Sequence, residues 1–141
     1  MVNLAGADGG HFEKMRGKKA KLNIVDEAGF CDKLGEIVMD VLLPTTTHTG
    51  GKIILSSTPP KDFDHDFNNY VEAAELEGYL TKKTVFDNTL LTKEQIDKII
   101  KRYPGGVENR SFRREYLCEM LKDPDKSVFP EVDEETLKGV V

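Results

Sequence analysis

The fold is decided by two stretches: residues 22–27, Leu22-Asn23-Ile24-Val25-Asp26-Glu27, and residues 51–59, Gly51-Lys52-Ile53-Ile54-Leu55-Ser56-Ser57-Thr58-Pro59. Each holds a short apolar run rich in β-branched residues, too short for an ordinary helix and suited to a buried strand. The first strand is predicted over 21–25, stopping at Asp26. The second is predicted over 52–55, ending at Ser56, Ser57 and Thr58, and Pro59-Pro60 forbids its continuation. Between them, residues 32–43 (DKLGEIVMDVLL) place Leu34, Ile37, Val38, Val41 and Leu42 at helical spacing. That predicts an amphipathic helix with Asp32 as its N-cap and Pro44 as its stop. Strand, helix, turn and strand make a βαβ unit. Its two tips should lie side by side, one carrying two carboxylates and the other three hydroxyls.

Working outward, residues 62–78 read as a polar loop and a helix, with Phe67, Tyr70, Val71, Ala74 and Leu76 available for packing. Residues 79–86 (YLTKKTVF) read as a third strand, broken by Asp87-Asn88. Thr92 and Gln95 fit a capping box at the start of KEQIDKIIKRY, and Pro104-Gly105-Gly106 ends that helix. A last helix is expected over 111–121, and VFPEVDEET reads as an exit segment. Alternating strands and helices indicate an α/β protein with a mainly parallel sheet. Three strands are few for a sheet whose two faces must both be covered, so the chain is expected to be the C-terminal half of a larger domain.

Composition narrows the class. Of 141 residues, 38% are hydrophobic and 32% charged, which suits a soluble globular chain and excludes a collagen-like or disordered one. There is no apolar run of the roughly 18–20 residues that a membrane-spanning helix needs. The opening MVNLAGADGG lacks the basic and apolar blocks of a signal peptide, and a cytoplasmic protein is expected. Cys31 and Cys118 belong to no CxxC pair, so two free thiols are expected rather than a zinc or redox site. The net charge of −5 argues against a whole-surface grip on nucleic acid. A local basic patch nevertheless spans residues 13–21 (EKMRGKKAK). The stretch 119–135 is acidic, and such runs are mostly solvated faces.

Acids at the end of a buried parallel strand stand where α/β proteins bind ligands. One acid there can hold Mg2+ beside phosphates, and a second can orient and deprotonate an attacking water. Hydroxyls on a neighbouring tip can hydrogen-bond a phosphate or report its loss. Taken alone, each motif has an ordinary explanation, a strand turning into solvent or a Ser/Thr turn before prolines. Asp62, Asp64, His65 and Asp66 begin like a calcium loop, but Phe67 and Ala73 stand at the glycine and glutamate positions. His11 and His48 have no partner pattern. Ser56 and Ser57 lack the G-x-S-x-G elbow of a hydrolase nucleophile.

The set VDEAGF, LLP, GGKIILSSTP, FDN and SFRREYLCEM followed by VFPE closely resembles the large terminase subunit of tailed bacteriophages and prophages, over roughly residues 6–131. The resemblance implies the C-terminal half of its ATPase domain over residues 1–128, a partial P-loop fold of the RecA-like, additional-strand type. Residues 129–141 would lead toward a nuclease domain. It implies ATP and Mg2+ as cofactors, with Asp26 as the Walker B acid that handles the metal, Glu27 as the catalytic carboxylate and Ser56-Ser57-Thr58 as the coupling motif. Arg16 becomes a candidate arginine finger acting on a neighbouring subunit, against the alternative of a solvated basic loop. Arg113 and Arg114 are expected in helix-surface salt bridges. The implied partners are double-stranded DNA, the portal and procapsid, the small terminase subunit and copies in a homo-oligomeric ring, with no membrane. The pattern G-x-x-x-x-G-K-[ST] is absent: Lys19 follows Gly17-Lys18 and Ile53 follows Gly51-Lys52, with Phe12 and Thr46 at the first-glycine positions. The family's P-loop precedes the Walker B strand, so the resemblance implies a chain that starts after it and lacks turnover by itself. A non-catalytic prophage remnant or split-ATPase module, and half of a DExx helicase-type ATPase, are the alternative readings.

Overall fold

The computed structural model describes residues 2–122. Strands β1 (Leu22–Asp26) and β2 (Lys52–Ser56) pair in parallel, from Leu22 opposite Lys52 to Asp26 opposite Ser56. Each strand takes in one residue more at its tip than the apolar run suggested. The sheet holds these two strands among the described residues, and the fold is mixed α/β with a parallel pair and flanking helices.

The crossover is a continuous helix over residues 34–46: an α turn at Leu34–Glu36, a π-helical stretch at Ile37–Leu42 and an α turn at Leu43–Thr46. Leu34, Ile37, Val38, Val41 and Leu42, the five positions picked out by spacing, are all buried. They form the core with Phe12, Ala28, Cys31 and Phe67, and Val25, Ile53 and Leu55 pack on it from the sheet. Asn23 is buried in β1 on this same side. Its amide donates to Thr45 Oγ1 at 2.9 Å, which meets the requirement that a buried polar group be paired.

Pro44 does not stop this helix. An α-helical proline leaves the carbonyl four residues back without a donor and crowds it. Here the helix widens to π geometry around that point, with the Leu43 N–H bonded to the Val38 carbonyl. The Asp40 carbonyl instead accepts from Arg16 Nη1 at 3.1 Å. Asp32 is not the N-cap either. The N-cap position is Lys33, without a side-chain bond. Asp66, 31 residues on, accepts the Gly35 N–H at 3.0 Å, so tertiary structure supplies the cap.

The Asp66–Leu76 helix buries Phe67 and packs Tyr70 and Val71 on the core, whereas Leu76 is 89% exposed. Residues 79–84 do not form the expected third strand. They run without regular structure into a 3-10 turn at Val85–Asp87, because no strand among the described residues lies alongside to take their backbone hydrogen bonds. The Lys93–Lys101 helix carries the expected capping box, with Thr92 Oγ1 accepting from Gln95 N and Gln95 Oε1 accepting from Thr92 N. Gly105 and Gly106 follow it with φ of 84° and 60°, conformations that favour glycine. The last helix is Arg110–Leu117, shorter than predicted, ending at Cys118 with φ 52°. Phe112 anchors it, fully buried, stacked on Tyr116 at 5.1 Å and edge-on to Tyr103 at 5.6 Å. The closing VFPE stretch and the 129–141 exit segment lie outside the described residues.

The opposite face of the sheet is bare among the described residues. Leu22, Ile24 and Ile54 are 50%, 62% and 49% exposed. Alternation along the strands places them on the same face as Asp26 and Ser56. No helix in the described residues is long and apolar enough to cross a membrane.

Candidate functional site

The site is built on the register of the two strands. Asp26 and Ser56 are direct partners at the last rung of the ladder, both exposed. The carboxylate and hydroxyl tips predicted to be neighbours are therefore adjacent. After Asp26 the chain turns sharply. Glu27 has φ 53° and ψ 37°, the left-handed region, and its N–H donates to Asp26 Oδ1 at 3.0 Å. A non-glycine residue rarely adopts that conformation, and it is held where surrounding contacts enforce it. The enforcing element is the 3-10 turn Ala28–Phe30, whose Ala28 and Gly29 are buried.

Gly29 is fitted against the second tip. A Cβ at this position would lie 2.8 Å from Ser57 Oγ, 2.8 Å from the Thr58 carbonyl oxygen and 3.3 Å from Pro60 Cδ. The acidic turn and the hydroxyl turn are thus packed backbone to backbone. The hydroxyls differ in environment. Ser56 faces solvent. Ser57 Oγ is buried and has no hydrogen-bond partner among the described residues. Thr58 Oγ1 donates to Glu115 Oε2 at 3.1 Å. Pro59 and Pro60 are buried behind them.

Arg16 is engaged elsewhere. Its Nε and Nη2 donate to the two carboxylate oxygens of Glu13 at 2.6 and 3.0 Å, and its Nη1 reaches Asp40. This pairing pushes the guanidinium pKa up and holds the Glu13 carboxyl below its ordinary value. No hydrogen bond joins Arg16 to the strand tips. Its side chain stays 54% exposed. Arg113 and Arg114 form salt bridges, though not at the expected helix-surface spacing: Arg113 reaches Glu119, beyond the helix end, at 2.7 Å, and Arg114 its neighbour Glu115 at 3.1 Å.

The cluster at 62–66 makes bonds that hold the fold, both local and long-range. Asp62 accepts from Asp64 N, His65 Nδ1 accepts from Phe67 N, and Asp66 caps the crossover helix. No group of three His, Cys, Asp or Glu side chains gathers for a metal among the described residues. Asp26 still suits Mg2+, which is commonly held by one or two carboxylates together with waters and phosphates. One of its oxygens takes the Glu27 amide and the rest of the carboxylate faces solvent. The sequence carries no glycine-rich P-loop pattern for a nest of backbone N–H groups that would hold phosphates.

Cys31 and Cys118 are free thiols. Burial, reinforced by Asp8 and Asp32, pushes the Cys31 thiol pKa up. Two contributors escaped the sequence reading. Gly29 is two residues past the acid pair, and a glycine next to a strand tip was the signal available for it. Glu115 lies 57 residues from Thr58, and nothing in local spacing links them. Comparison with family models, with curated proteins and with solved structures returned no match to this chain.

Proposed function

We propose that this chain is part of the ATPase of a viral DNA-packaging motor of the large-terminase type, coupling ATP hydrolysis to movement of double-stranded DNA into a procapsid. One observation carries the reading: Asp26 stands opposite Ser56 at the tips of two parallel strands. Asp26 handles Mg2+ through water and Glu27 orients the attacking water. Ser56, Ser57 and Thr58 sense loss of the γ-phosphate. The bound metal supplies charge neutralisation at the phosphates. The P-loop fold and the phosphate-cradling loop are contributed with polypeptide other than the residues described here. Arg16, exposed and already charge-paired, is the residue offered to a neighbouring subunit. Procapsid and small-subunit contacts, a homo-oligomeric ring and a place in the host cytoplasm belong to the same reading.

The chain alone should neither hold ATP tightly nor hydrolyse it, since its sequence lacks the G-x-x-x-x-G-K-[ST] pattern that cradles the β- and γ-phosphates. The test is phosphate release by the purified chain and by its mixture with a P-loop-bearing partner from the same genome. Release in the mixture, abolished by Glu27→Gln and stimulated by procapsids, supports the reading. Release by the chain alone, well above a Glu27→Ala control, refutes the expectation that the chain lacks turnover by itself, and absence of Glu27-dependent release in the mixture refutes the ATPase reading. Duplex unwinding without procapsid stimulation assigns the chain to a helicase-type motor instead.

The bare sheet face favours a second reading, a non-catalytic interaction module. Leu22, Ile24 and Ile54 are apolar where a one-sided sheet would carry polar residues, and parallel strands are covered on both faces in stable domains. Stable co-purification with a partner, lost on Ile24→Asp and accompanied by no ATP turnover, selects this reading.

A further inference from the structure

The link between Thr58 and Glu115 joins elements that neither the ladder nor the core connects. Thr58 Oγ1 donates to Glu115 Oε2 at 3.1 Å, and Glu115 Oε1 accepts from Arg114 Nε at 3.1 Å. Both carboxylate oxygens are thus occupied, which fixes the side chain's orientation. The helix beneath is immobilised by Phe112, at 0% exposure, and by the stacked Tyr116. On the strand side, Pro59 and Pro60 restrict the backbone just beyond Thr58. Ser57 packs over Gly29, two residues from Glu27. A contiguous set of contacts therefore runs from the acid turn, through the Gly29–Ser57 approach, to Thr58, Glu115 and the Arg110–Leu117 helix.

We infer that Glu115 is a positioning residue that ties the hydroxyl-bearing end of β2 to the Arg110–Leu117 helix, so that a shift at the strand tips is delivered to that helix. The inference deepens the proposed ATPase reading and rests on it for its purpose, because it names the element that receives the motion. The physical tie itself is measurable without nucleotide. Pathway claims need coupling data, and a double-mutant cycle supplies them.

The experiment is native-state hydrogen exchange on the full chain, comparing Thr58→Val, Glu115→Met, which removes the acceptor, and the double variant. Thr58→Val is expected to speed exchange of the 110–117 amides about three- to tenfold, the factor a typical net hydrogen bond is worth. Glu115→Met should do the same at residues 56–58. The double variant should exceed neither single variant, and Thr58→Ser and Glu115→Gln, which keep the donor and an acceptor, should stay near wild-type exchange. Fully additive effects, or acceleration confined to each mutated element, overturn the inference. If Thr58→Val does not fold, Glu115→Met decides: unchanged exchange at 56–58 in Glu115→Met refutes the tie. The two levels fail separately. Absence of turnover in the reconstituted mixture removes the ATPase reading, whereas uncoupled exchange removes the tie.

Discussion

Replacing Gly29 with alanine tests whether the two strand tips are packed as described. Gly29 lies outside the left-handed region, so the substitution is a steric question. The new Cβ would sit 2.8 Å from Ser57 Oγ, 2.8 Å from the Thr58 carbonyl oxygen and 3.3 Å from Pro60 Cδ. The serine hydroxyl can rotate away, but the carbonyl and the proline ring belong to a stiff, buried backbone and must shift together. Overpacking of this kind costs about 1–3 kcal/mol. Alanine also lowers the entropy of the unfolded chain, offsetting roughly 0.4–1 kcal/mol. The net expectation is about 1–2 kcal/mol of destabilisation. With a urea slope of roughly 1–3 kcal/mol per molar, the unfolding midpoint should fall by about 0.3–2 M. Far-UV circular dichroism is the suitable probe, since the chain has no tryptophan. Gly6→Ala, whose nearest atom would be His11 Cβ at 3.8 Å, is the control and should leave the midpoint in place. A Gly29→Ala midpoint equal to or above wild type would mean that the acid turn and the hydroxyl turn are not in contact.

Thr92→Ala should lower stability by about 1 kcal/mol, as loss of an N-cap does, read as a reduced urea midpoint with helix content otherwise retained. The Asp87 carboxyl is held below its ordinary value by the Thr84 N–H and then by the Thr84 hydroxyl, both bonded to Oδ2. A depressed folded pKa gives a contribution that is present above the unfolded value, near 4, and fades as pH falls through the folded one. The midpoint gap between wild type and Asp87→Asn should therefore close as the pH drops below about 4, and a gap that widens there contradicts the assignment. In a Cys118→Ser background, Cys31 should react with a thiol reagent at least about tenfold more slowly in the folded chain than in urea, because burial suppresses its thiolate. Equal rates would place Cys31 at the surface.

What the sequence yielded, and what it withheld, follows from the range of the forces involved. The crossover helix and both strands were legible because periodicity reports which face is buried, and the five apolar positions at 34, 37, 38, 41 and 42 all lie in the core. The Thr92 capping box was legible because both its bonds are made within four residues. Other features depend on partners distant in sequence. Asp66 caps a helix 31 residues earlier, so the nearby Asp32 was a plausible and mistaken choice. Residues 79–86 have strand-forming composition, but a strand exists only beside another, and none lies there among the described residues. The adjacency of Asp26 and Ser56 could be anticipated from the βαβ pattern. The left-handed turn at Glu27, the close approach of Gly29 to Ser57 and the grip of Glu115 on Thr58 needed coordinates.

The bond from Arg16 to the Asp40 carbonyl bears on how a trans-acting role for that arginine can be tried. Alanine at position 16 removes a cation from the surface and also strips the substitute donor from the helical turn that Pro44 leaves short of an amide. A defect in such a variant would have two parents. Pairing Arg16→Ala with Pro44→Ala returns an N–H to that turn, so any shortfall that survives in the pair reports on the lost charge rather than on the loosened helix.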